Sequence, residues 1–121
     1  MAFVKSTNII TDTALTVAGL SGGSNGKVVR ISGNNTVTNA SWLDTAAQLN
    51  AVLFRNDGIF YAAGVVPNVG SLTAGTAYFI DEFGGLTASP PSPSSTVRVL
   101  FVGFGLNTTD LLFRPGIPIS G

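Results

Sequence analysis

The sequence predicts an all-β fold, and three observations carry that prediction. Short runs of β-branched, aromatic and aliphatic residues recur along the chain, each bounded by Gly, Asn, Asp or Pro. Two-residue turn signals, Asn25-Gly26 and Asp57-Gly58, sit between such runs. The 15 glycines and 6 prolines among 121 residues leave few stretches long enough for a helix. A chain of this length makes one domain and buries roughly two-thirds of its unfolded surface. The expectation is therefore a single β domain over residues 1–121. It should be a small β-sandwich or barrel of about seven to nine short strands. Residues 1–12 form an extended N-terminal arm, and the chain holds at most one short helix.

The first run spans Thr13 to Ala18, and a glycine-rich loop from Gly19 to Gly26 leads to a strand at Lys27 to Ser32. Gly33-Asn34-Asn35 turns the chain into Thr36-Val37-Thr38. Ser41 to Ala51 is the one candidate helical turn. Ser41 is placed to cap it, Asp44 suits the positive end of its dipole, and Trp42, Ala46 and Leu49 share a face. The clearest hairpin follows, from Asn50 to Phe54, through Asp57-Gly58, and back along Ile59 to Val66. Pro67 ends that strand, because proline donates no ladder hydrogen bond. Further strands are expected at Thr76 to Ile80, Thr96 to Phe104 and Asp110 to Phe113. The tail from Arg114 to Gly121 has two prolines, so it should lie extended against the domain.

The residue inventory narrows the chemistry. Histidine and cysteine are both absent. That removes the commonest general base, the thiolate nucleophile and the usual transition-metal ligands. Asp81 and Glu82 are adjacent, so on a strand they point to opposite faces and cannot flank one bond. Asp81 is better read as a turn acid capping Gly84-Gly85. Gly22 to Lys27 resembles a phosphate loop only loosely: Ser21 and Val28 stand where the pattern needs Gly and Ser/Thr. A hairpin turn is the expectation there. No enzyme, metal or cofactor is expected. Lysines and arginines balance the acids at net charge zero and are scattered singly, which disfavours nucleic acid.

Charged residues make up 10% of the chain, against about 25% in an ordinary soluble domain. Mean hydropathy is +0.42. So little charge predicts that partner subunits cover much of the surface. The strand neighbours Phe60/Tyr61 and Tyr78/Phe79 should each send one ring to the core and one outward. Tyr61, Tyr78, Phe79 and Phe113 are the candidate subunit contacts. The start of the chain has Asp12 where a signal peptide needs apolar residues, and Arg98 interrupts the greasiest run. Synthesis in a cytoplasm and no membrane insertion are the expectations.

Gly64-x-Val66, Leu72-Thr73-Ala74-Gly75, Tyr78-Phe79-Ile80-Asp81 and Gly84-Gly85-Leu86-Thr87 follow one another in order. After Pro90-Pro91 come Val102-Gly103-Phe104-Gly105-Leu106 and Leu111-Leu112-Phe113. Over residues 60–113 this series resembles a β-rich module of tailed-bacteriophage virion proteins, among them capsid decoration (cement) proteins, head fibres and tail-fibre segments. Phe79 stands where the module has a second Tyr, and Gly105 where it has Ala; both are expected to be packing changes. The resemblance implies a decoration protein on the capsid exterior, made in the host cytoplasm, trimeric, and bound to the major capsid protein. On that reading Phe3, Val4, Ile9 and Ile10 of the arm are the capsid-contact candidates. The alternative it implies is a tail-fibre or receptor-binding domain reading host glycans through Tyr61, Tyr78 or Trp42.

Overall fold

The structure, a computed structural model, describes residues 14–121. Among them are ten strands and no helix: β1 (Ala14–Val17), β2 (Ser21–Gly22), β3 (Lys27–Gly33), β4 (Thr36–Asn39), β5 (Val52–Asn56), β6 (Ile59–Val66), β7 (Ala77–Ile80), β8 (Leu86–Thr87), β9 (Phe101–Gly105) and β10 (Leu111–Phe113). The all-β class is as the sequence predicts. The count exceeds the expected range because β2 and β8 are two-residue strands, too short to leave a periodic signal.

All ten strands join one open sheet, in the order β2-β4-β3-β5-β6-β10-β9-β7-β8, with β1 paired to β6. The eight-residue β6 explains its shape. Tyr61 pairs with Phe54 of β5 and with Thr16 of β1, while Gly64 pairs with Phe113 of β10 and with Ala14 of β1. A strand has two edges, so β5 and β10 must follow one another along the edge that β1 does not occupy. Two wings therefore leave a single strand, β5-β3-β4-β2 from its first half and β10-β9-β7-β8 from its second. Backbone hydrogen bonds join the wings again at their far side. Val28 N donates to Gly84 O at 2.8 Å, Trp42 N to Asp81 O at 3.3 Å, and Arg98 N to Trp42 O at 2.8 Å.

The main core lies between the wings. Val28, Phe54 and Tyr61 come from one side and Tyr78, Ile80, Val102, Leu111 and Phe113 from the other. The Phe54 and Phe113 rings meet at 5.9 Å, tilted by 58°, a favourable aromatic geometry. The first wing carries a second cluster on its opposite face, formed by Val29, Val37, Leu53 and Phe60 with Leu20 and Ala62 against it. Phe60 and Tyr61 do point to opposite faces, yet both are buried, because that wing is covered on both sides.

The Asp57-Gly58 hairpin forms as expected, with φ of 51° and 77°, the two positive values a two-residue turn of this twist requires. Ser41 to Ala51 forms consecutive turns, and its one helical bond runs from Leu49 N to Thr45 O at 3.1 Å, in keeping with the single helical turn expected there. Side chains cap its start: Leu43 N donates to Ser41 Oγ and Ser41 N to Asp44 Oδ2. Four residues on, Thr45 and Gln48 cap each other, with Thr45 N donating to Gln48 Oε1 and Gln48 N to Thr45 Oγ1. Two successive caps satisfy the local donors without a helix body behind them. The Gly22 to Lys27 loop is not a hairpin turn, since β2 pairs with β4 in parallel and not with β3. The run expected at Thr96 to Phe104 enters the sheet only at Phe101. Before that its backbone bonds go elsewhere, Arg98 N to Trp42 O and Val99 to Ile119 of the tail. That bridge fixes the extended tail against the domain.

Candidate docking surface

Asp81 is the acid the sequence singles out, and its carboxylate is occupied by its own turn. Oδ1 accepts from Phe83 N and from Gly85 N, both at 2.8 Å. Gly84 sits where an added Cβ would lie 2.9 Å from the carbonyl oxygens of Val28 and Ala40, so the turn tip is pressed onto the other wing. Among the described residues, no three His, Cys, Asp or Glu side chains group as a metal would need.

The structure divides the four subunit-contact candidates. Tyr61, Tyr78 and Phe113 are core residues, exposed by only 6%, 8% and 0%. Burial, with the Asp57 carboxylate adding to it, raises the pKa of the Tyr61 phenol, which keeps it neutral. The Tyr78 hydroxyl accepts a hydrogen bond from Thr73 N at 2.8 Å and so braces the turn before its own strand. Within one copy these three rings pack inside the core. Phe79 is different: it alternates with Tyr78 and Ile80, stands on the outer face, and is half-buried. The arm candidates Phe3, Val4, Ile9 and Ile10 lie outside the described residues.

Phe79 does not stand alone. Its ring meets Phe101 edge-on at 5.8 Å, and Phe101 meets Phe104 at 5.0 Å. Simple alternation along β9 would put Phe101 and Phe104 on opposite faces. The ladder instead pairs Tyr78 with Gly103 and Phe79 with Phe101, passing over Val102. This bulge turns both Val102 and Gly103 toward the core and leaves both phenylalanines outside. Leu112 and Ala77 flank Phe104 across the ladders, and Val65 lies opposite Leu112. The second wing thus presents an apolar outer strip, and Phe104 on it is 38% exposed. Sequence reasoning missed Phe101 and Phe104 as surface residues. The available signal was Gly103, since an isolated glycine within a strand pattern marks a bulge.

No family model matches this chain, and neither the curated proteins nor the solved structures include a match to it.

Proposed function

We propose that this chain is a structural virion protein of a tailed bacteriophage, a decoration or cement protein that binds the assembled major capsid protein lattice and stabilises the head. Its place is the capsid exterior, after synthesis in the host cytoplasm, and its assembly is a homotrimer. The module-like series over residues 60–113 suggests the class. The observation that carries the reading is the outer strip of Phe79, Phe101, Phe104 and Leu112 on a domain whose acid of interest is spent on a turn. Such a surface docks onto another protein and does no chemistry. Stabilisation follows from mass action, because a ligand that binds only the mature lattice opposes its disruption. Tyr61 and Tyr78 are withdrawn into the core, which weighs against the glycan-reading alternative.

The test mixes purified protein with expanded capsids lacking it, followed by sedimentation and electron microscopy. Saturable co-sedimentation is expected, and Phe104→Ser should weaken it at least about tenfold if the strip is a hot spot. Deleting residues 1–10 in the same assay measures the arm separately. Absence of binding to any expanded lattice, with binding to host cells, overturns the reading.

A further inference from the structure

The Phe83 ring belongs to neither core cluster among the described residues. It is 69% exposed at the tip of the β7–β8 turn, yet its backbone is held tightly. Phe83 N donates to Asp81 Oδ1, Asp81 N donates to Gly85 O at 2.9 Å, and Gly84 and Gly85 on its other side are buried. A large aromatic ring on a fixed turn pays little entropy on docking, which is the character of an interface anchor. Across the molecule, a groove of about 460 Å³ opens where β1 and the following loop meet the start of β6, lined by Thr16 to Leu20 and Gly58 to Tyr61. Among the described residues no side chain lining it carries a charge at neutral pH, and Val17 and Ile59 on its lips are exposed.

A cationic side chain borders the groove. Arg55 lies over the Phe60 ring of the groove, 5.3 Å from its centroid. Its Nη1 donates to the Gly22 and Gly23 carbonyls, while its buried Nε has no partner among the described residues. No carboxylate pairs with it among them, where the ion pair is Arg30 with Asp44. Glu82, next to the knob, is exposed. Within one copy Phe83 is not among the groove's lining residues. We infer that the occupant is a second copy: the Phe83 knob of one protomer seats in the β1–β6 groove of the next, with Glu82 brought toward Arg55. Knob and groove are different patches, so the contact is heterologous and closes a ring or runs on as a chain. This deepens the self-association in the proposed function and stands apart from lattice binding.

The experiment needs only the whole protein. Sedimentation velocity over a dilution series should show self-association that Phe83→Ala weakens by at least about tenfold, with a melting temperature equal to wild type at dilutions where both are monomeric. The chain has no cysteine, so a mixture of Phe83→Cys and Ile59→Cys proteins should crosslink under mild oxidation as mixed pairs. Unchanged association of Phe83→Ala overturns the inference, as does crosslinking of Phe83→Cys only to itself. Crosslinking of Ile59→Cys to Val4→Cys within one chain gives the groove to the N-terminal residues and also overturns it. Intact self-association with lost lattice binding in Phe83→Ala reassigns the knob to the capsid. A wild-type monomer that still binds capsids ends this inference and leaves the decoration reading standing.

Discussion

At the scale of single residues, short polar side chains hold the loops on which the surfaces depend. Asp110 is the clearest case. Its carboxylate accepts from Asn107 Nδ2 at 3.2 Å, Thr109 Oγ1 at 3.1 Å and Asn68 N at 3.3 Å. The Asn107 bond leads, with Asn68 and Thr109 behind it, in lowering the Asp110 pKa below its ordinary 3.8. These contacts close the β9–β10 turn and dock the β6–β7 loop on it, where Val69 N donates to Thr109 O at 2.7 Å. A carboxyl whose pKa is lower when folded adds stability above its unfolded pKa and loses it as pH falls through the folded value. Asp110→Asn keeps the shape and removes the charge. The expected outcome is a thermal midpoint below wild type near neutral pH, with the gap closing as pH drops below about 4. Melts of both proteins across that range check it, and a gap independent of pH rejects the role of the charge.

At the scale of elements, the sequence was most legible where turn chemistry and strand pattern agree. The β5–β6 hairpin follows from Asp57-Gly58 between apolar runs, and the Asp81 turn follows from an acid before two glycines. It was least legible where tertiary partners redirect the backbone. Thr96 to Leu100 reads as strand, but its hydrogen bonds go to Trp42, the tail and β7 instead. The same limit hid the outer strip, since Phe101 and Phe104 share a face only through the bulge at Val102-Gly103. Gly105 shows how tightly β9 is held. The sequence suggested that glycine in place of alanine there is a small packing change. In the structure Gly105 N donates to Thr76 O at 3.0 Å, and an added Cβ would overlap the Thr73 carbonyl oxygen. Backbone cannot yield as a side-chain tip can. Gly105→Ala should therefore cost about 1–3 kcal/mol, read as a lower urea midpoint at unchanged slope; a midpoint equal to wild type would show that the Thr73–Thr76 turn shifts freely.

At the scale of the whole molecule, the question is whether two wings on one strand behave as one unit. Each shares β6, and each contributes about half of the rings in the main core, so neither buries its apolar face alone. Trp42, the single tryptophan, sits where they meet. Its amide donates to Asp81 O of the second wing, its carbonyl accepts from Arg98 N, and its half-buried ring packs on the core. The fluorescence of Trp42 therefore reports on the junction, while far-UV circular dichroism reports on strands in both wings. A domain whose wings depend on each other unfolds in one step, so the two probes should give the same urea midpoint and slope. If the junction were a late, separable contact, the fluorescence change would precede the loss of strand signal. The core variant Phe113→Ala sharpens the comparison. It removes the ring that Phe54 meets across the wings and should cost about 3–5 kcal/mol, moving both transitions together. A shift confined to one probe would divide the sheet at β6 into two independently unfolding halves.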